Sequence, residues 1–213
     1  MQIYEFENFL NPSECDYILR WFSSANRQPE NGEEGFNGRT IPYKYVDEDT
    51  VKSIMNRFRF NSTFQTITSF KKRLYPEYTD LVYWPVGMNM EVHSDATDLQ
   101  GQPAKYPWRT VSGVVYLNDN YQGGETYFPN QNIKIIPKKG KLVLFPSNLE
   151  YKHGVTQVVA GDRYTMPIWF TEDSTKIEIL ICTHDFLCQS EFHQILEKRE
   201  KINKLLIADE CNN

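Results

Sequence analysis

From Asp80 to Thr171 the chain is a series of short runs rich in Val, Ile, Tyr, Phe and Trp, broken by Gly, Pro and Asn at the spacing expected of antiparallel strands. The runs are "LVYWPV", "NMEVH", "RTVSGVVYLN", "ETYF", "IKIIP", "KLVLFP", "KHGVTQV" and "RYTMPIWF", with hairpin-like turns at "NDNYQGG" and "KKGK". Such short strands with hairpin-like turns fit a two-sheet arrangement better than a parallel βαβ repeat, which would need helices between them. The expectation is a mainly β protein with flanking helices, its core a two-sheet jelly roll, or double-stranded β-helix.

The flanks read differently. After a strand-like "IYEFENF", Asn11 caps a helix with Pro12 at its first position, and Cys15, Ile18, Leu19 and Phe22 repeat at helical spacing to about Ser24. Residues 26–40, "NRQPENGEEGFNGRT", are polar and Gly-rich, a loop and a candidate lid. "DEDTVKSIMNRFRF" carries Val51, Ile54, Met55 and Phe58 on one helical face, and "NSTFQTITSFKKRLY" reads as a further helix starting at Asn61. Near the end, residues 191–208 show another apolar stripe at helical spacing. A length of 213 residues suits one domain with helical additions. The net charge of −5 gives no general attraction to nucleic acid or an acidic membrane, although Lys71, Lys72 and Arg73 form a local basic patch. Cys15, Cys182, Cys188 and Cys211 lack a Cys-x-x-Cys spacing, which points to free thiols rather than a zinc site or a disulfide framework. With no basic leader and no apolar run of about eighteen residues, the chain reads as soluble and cytoplasmic.

Chemistry gathers around "MEVHSDATDLQ". Residues two apart on a strand share a face, so His93 and Asp95 can aim at one metal if the strand persists that far. The alternative is a polar strand end: with four His and eleven Asp, chance yields a His-x-Asp in about one such chain in five. His153 is the one other histidine of the β region, because His184 and His193 fall in the tail. Two imidazoles and a carboxylate on one face of an octahedron leave open positions on a non-haem Fe(II). Ten residues after His153 stands Arg163, a guanidinium suited to bidentate capture of a carboxylate. A metal with open positions and an Arg beyond it describe a pocket for a small dicarboxylate such as 2-oxoglutarate. Tyr116 can add a hydrogen bond to its distal carboxylate and Tyr83 another near its chelating end; ordinary core packing is the alternative for both.

Taken in order, "FENFLNPSEC", "YWPVGMNMEVHSD", "RTVSGVVYLNDNYQGGETYFP", "KKGKLVLFP" and "HGVTQVVAGDRYTMPIWF" resemble the prolyl 4-hydroxylase branch of the Fe(II)/2-oxoglutarate-dependent dioxygenases, hypoxia-type and microbial members included. The resemblance covers most of residues 3–171. It implies that His93, Asp95 and His153 bind iron, that Arg163 and Tyr116 hold the distal carboxylate of 2-oxoglutarate, and that Tyr83 and Trp169 lie near the cosubstrate. It also implies that Arg109 lies on the substrate side. Arg163 stands where many collagen-type relatives have Lys, and the spacings from Tyr83 to His93 and from His153 to Arg163 vary by a residue among relatives. Gly123 and Gly124 serve backbone geometry. The implied activity is hydroxylation of a peptidyl proline using O2, with release of succinate and CO2 and with ascorbate as reductant; the partner is a proline-containing peptide or protein, gripped by the loops at 26–40 and 96–107. The implied layout is a dioxygenase domain over residues 1–172, helical at about 11–75 and jelly roll at about 79–171, followed by a helical extension over 173–213. The rival readings are the same chemistry on another substrate, such as a free amino acid or a nucleobase, a zinc hydrolase using the same ligands, and a non-catalytic jelly-roll binding module.

Overall fold

The computed structural model describes residues 2–25 and 38–177. The expected helix over 191–208, His184, His193, three of the four cysteines and most of the 26–40 loop lie outside the described residues.

The strand-rich half folds into two facing antiparallel sheets. The larger has the order β1 (Tyr4–Phe6), β9 (Leu142–Pro146), β5 (Arg109–Tyr116), β12 (Arg163–Thr171), β3 (Tyr75–Trp84) and β2 (Thr40–Pro42). The smaller has the order β4 (Met90–His93), β10 (His153–Val155), β7 (Thr126–Phe128) and β8 (Ile133–Lys134), and a short pair joins β6 (Gln122–Gly123) to β11 (Val158–Ala160). Apart from the β7–β8 and β2–β3 pairs, neighbours in a sheet are not consecutive strands, the wrapped order of a jelly roll. Strands β12, β3 and β5 form its centre, with Arg163 opposite Trp84 and Thr165 opposite both Val82 and Tyr116.

Two helices cover the outer face of the larger sheet. Asn11 closes a capping box with Glu14 at the start of α1 (Pro12–Ser24), as the Asn-Pro signal predicts. The Phe22 ring of α1 meets Tyr164 of β12 edge-on at 5.7 Å, and α2 (Asp49–Phe70) sets Phe70 edge-on to Tyr4 at 5.1 Å. The expected second helix from Asn61 does not exist: α2 runs unbroken through that point. Its Ser and Thr side chains turn back onto the helix, Ser62 Oγ donating to the Phe58 carbonyl at 2.7 Å and Thr63 Oγ1 to the Arg59 carbonyl at 2.7 Å. Polar residues that read as a cap are therefore satisfied inside the helix. The expected helical region up to residue 75 is interrupted by β2, and β3 begins at Tyr75. The expected strand "KHGVTQV" is likewise split at Thr156 and Gln157 between β10 and β11. None of the described helices is long and apolar enough to cross a membrane.

Alternation along the central strands separates two environments. In β12 the residues Arg163, Thr165, Pro167 and Trp169 face the space between the sheets, whereas Tyr164 faces α1. The β6–β11 pair just before this wall needs glycine: Gly123 has φ +72, and a Cβ there would lie 2.0 Å from the Gln157 carbonyl oxygen. Gly123→Ala should destabilise the fold by about 2 kcal/mol or more through left-handed strain and this clash. That lowers the thermal midpoint by roughly 5 °C or more in a chain of this size; an unchanged midpoint would mean that this position tolerates a side chain.

Candidate metal and carboxylate site

Between the sheets lies a cavity of about 760 Å³, within the usual range for a small-molecule site. His93 ends β4 and His153 begins β10, and the two are direct partners across that antiparallel ladder. Their rings stand 4.5 Å apart. Each Nδ1 faces the backbone carbonyl two residues earlier, His93 that of Glu91 at 3.0 Å and His153 that of Tyr151 at 3.2 Å. This leaves both Nε2 atoms directed at Asp95, His93 at 4.0 Å from Oδ1 and His153 at 3.8 Å from Oδ2. Asp95 itself stands past the end of β4, on a bend, so the strand does not persist to it.

One donor atom from each of His93, Asp95 and His153 lies within 4.8 Å of the others; among the described residues no other His, Cys, Asp or Glu group has that geometry. First-row ions sit about 2.0–2.2 Å from such donors, so one ion can reach all three after small side-chain shifts. The electrostatics suit the task. Burial pushes His153 down to about 4, which keeps its imidazole neutral and its lone pair available near pH 7. Burial alone would raise Asp95, but His153, His93 and a hydrogen bond from Ser112 outweigh it and hold the carboxyl below its ordinary value.

Arg163 stands at the start of β12 and is 1% exposed. Among the described residues its Nε and Nη1 have no hydrogen-bond partner, and Nη2 makes only a long contact of 3.5 Å to Thr126 Oγ1. The guanidinium rests 4.7 Å from the Trp84 ring and 5.5 Å from that of Tyr116. Tyr116 is fully buried and donates its hydroxyl to Thr126 at 2.8 Å. A buried cation with two nitrogens that make no hydrogen bond is a site for an anion, and the planar fork prefers a carboxylate. Gly124 makes room for it, since a Cβ there would come within 2.9 Å of Arg163 Cδ.

At another part of the wall, Arg109 lies 4.0 Å from both the Tyr106 and the Trp169 rings, and its Nε donates to Glu77 at 2.8 Å. Trp108 Nε1 donates to the other Glu77 oxygen at 3.1 Å. The loop at 96–107 delivers Ala104, Lys105 and Tyr106 to this wall. It is shaped by Asp98, whose Oδ1 accepts from the backbone N–H groups of Gln100 and Gln102.

The structure thus gathers His93, Asp95 and His153, sets Arg163 beside Tyr116, and sets Arg109 beside Trp169. It does not bring Tyr83 to the cavity. Tyr78, Asp80, Val82 and Trp84 line it, so Tyr83 points to the opposite face, stacked on Tyr164 at 5.2 Å with its hydroxyl donating to Asp162 at 3.1 Å. The aromatic ring that shares the pocket with Arg163 is Trp84, one residue later, and a one-residue step on a strand reverses the face. Sequence reasoning also missed Ser112, Thr126, Glu77 and Tyr121. Burial pushes the Tyr121 phenol up, and its shielded hydroxyl lies beside Arg163 without a hydrogen bond of good geometry.

A jelly roll that presents two histidines and one carboxylate together on adjoining segments is the framework of mononuclear non-haem metal oxygenases. Residues 78–171 match the family model described as the 2OG-Fe(II) oxygenase superfamily. Over 166 residues the chain is 28% identical to prolyl 3-hydroxylase 2 of Rattus norvegicus, covering 65% of this chain and 22% of that protein; it thus spans about a fifth of the length of that curated relative. Among solved structures, the viral collagen prolyl hydroxylase of Paramecium Bursaria Chlorella virus-1, in its 2OG complex, superposes with a TM-score of 0.61 at 20% identity, over 82% of this chain and 97% of the other. A prolyl-4-hydroxylase of Pseudomonas putida gives 0.58 at 18% identity, over 81% and 93%. At these identities the likeness is one of fold.

The depressed His153 has a consequence for stability without metal. The unfolded imidazole binds its proton near pH 6.5 and the folded one only near 4, so the unfolded chain holds more protons between those values. Stability should therefore fall as pH drops from about 6.5 to about 4 and gain nothing further from this group below that. Thermal midpoints in chelator should show that fall, and His153→Gln should flatten it; an equal slope in both proteins would remove His153 as its source.

Proposed function

We propose that the chain is an Fe(II)- and 2-oxoglutarate-dependent dioxygenase that hydroxylates a peptidyl proline and releases succinate and CO2. The observation that carries the reading is the buried, unpaired Arg163 in the same cavity as the His93, Asp95 and His153 group. In this reading the two Nε2 atoms and one Asp95 oxygen hold iron, and Arg163 holds the distal carboxylate of 2-oxoglutarate, with Tyr116 and Thr126 behind it. Bound iron would supply O2 activation, coupling decarboxylation of the cosubstrate to insertion of an oxygen atom into a substrate C–H bond, with ascorbate as the reductant that keeps the iron ferrous. The chain's own part is to fix these groups and screen them from water.

Arg109 is already neutralised by Glu77, which suits it to a neutral carbonyl such as a peptide's, and the flat rings of Tyr106 and Trp169 suit a proline ring. The loop at 96–107 is the candidate grip. Residues 1–172 are read as one dioxygenase unit, with 173–213 appended to it, acting in the cytoplasm on a peptide or protein rather than on nucleic acid. The ordered motifs point to carbon 4 of the ring, whereas the name of the sequence relative, a prolyl 3-hydroxylase, favours carbon 3.

Incubation with Fe(II), 2-oxoglutarate and a panel of proline peptides should release succinate and add one oxygen to a peptide, and chromatography of the hydrolysate separates 3- from 4-hydroxyproline. Asp95→Ala should abolish both products. Unchanged turnover in that variant, or turnover without iron, would overturn the assignment.

A further inference from the structure

The carboxylate of Asp95 is held by a pair of serines that the reading above does not use. Ser112 lies in the middle of β5, is 2% exposed, and donates its hydroxyl to Asp95 Oδ2 at 2.6 Å. Ser147 follows β9, is 1% exposed, and places its Oγ 2.7 Å from that of Ser112. A serine hydroxyl has one proton, and that of Ser112 goes to the carboxylate, so Ser147 is the donor to Ser112. Ser147 grips the same segment through its backbone. Its carbonyl accepts from the Ala96 N–H at 3.1 Å and from Ser94 Oγ at 2.8 Å, the residues on either side of Asp95. Its own N–H donates to the Thr110 carbonyl at 3.1 Å, which fixes it to β5. The bend that carries Asp95 is therefore pinned on both sides to one point of the larger sheet, and one of its two oxygens is engaged before any ion arrives.

A carboxylate binds a cation through one oxygen or through both. The difference matters at a site with three protein ligands. Three positions of an octahedron stay open if Asp95 uses one oxygen, enough for a chelating 2-oxo acid and for O2; if it uses both, only two remain and the chelator fills them. We propose that Ser112, backed by Ser147, is a positioning residue that keeps Asp95 a one-oxygen ligand through Oδ1 and so preserves the third open position. This rests on the iron and 2-oxoglutarate reading above, and it adds a task for two residues outside the ligand set.

Mn(II) provides a readout independent of turnover, because water-proton relaxation reports the waters bound to the ion. Wild type should bind Mn(II) with three such waters and keep one when saturated with 2-oxoglutarate. Ser112→Ala should lose about a third of the inner-sphere relaxation as Asp95 takes a second position, lose nearly all of it when 2-oxoglutarate is added, and bind Mn(II) up to ~10-fold more weakly. Ser112→Thr, which keeps the hydroxyl, should restore wild-type relaxation. Ser147→Ala should shift it less and in the same direction, and decides the matter if Ser112→Ala does not fold. Wild-type relaxation in both alanine variants overturns the proposal and leaves the metal site standing. Failure of the wild type to bind Mn(II) overturns the metal reading and this proposal with it.

Discussion

A charged guanidinium shut away from water, with two nitrogens that find no hydrogen-bond partner among the described residues, is the constraint around which the site is arranged. Leaving a buried polar group unpaired costs about 1–3 kcal/mol, and more for a charged one. Arg163 keeps its place because β12 lies between β3 and β5, where Trp84, Tyr116 and Thr126 leave it no other direction. The fold carries a standing cost at this point that the carboxylate proposed to bind here would offset.

The rest of the cavity follows from the same alternation. One face of β12 supplies Arg163, Thr165, Pro167 and Trp169 to the cavity, while the other takes the helices on its back through Tyr164. The smaller sheet answers with His93 and His153, brought together by a single antiparallel register. Two arginines then share one cavity with different electrostatic states. Arg109 is paired with Glu77 and sits between two aromatic rings, whereas Arg163 is unpaired. An uncompensated charge suits an anion, and a compensated one suits a neutral group.

Much of this was legible in the sequence, and the failures have identifiable causes. The strand runs from Asp80 onward were readable because short apolar segments punctuated by Gly, Pro and Asn admit few other folds. His93, Asp95 and His153 were readable as a set because the ordered motifs around them restrict the alternatives, although the His-x-Asp pair alone does not. Tyr83 was misplaced because an aromatic pair, Tyr83-Trp84, offers the same chemistry on both faces and only the pairing with β12 decides which one is inside. The sequence reads α2 as two helices because Asn61, Ser62 and Thr63 look like a cap until the Ser62 and Thr63 hydroxyls are seen to bond backward. Ser112, Ser147 and Thr126 gave no signal, since a serine or threonine in a strand is ordinary until tertiary contact shows what it touches.

In the proposed function Arg163 reads one end of a dicarboxylate whose other end is held at His93, Asp95 and His153. The direct measurement is calorimetric titration of the Mn(II)-loaded protein with 2-oxoglutarate and with 2-oxobutyrate, which lacks the distal carboxylate, in wild type and in Arg163→Met. Charge-assisted hydrogen bonds contribute about 1.5–3 kcal/mol each, so two of them predict that wild type prefers 2-oxoglutarate by roughly 100-fold or more and that the preference collapses in the variant. Equal affinity of the wild type for the two acids, or an undiminished preference in Arg163→Met, would contradict it.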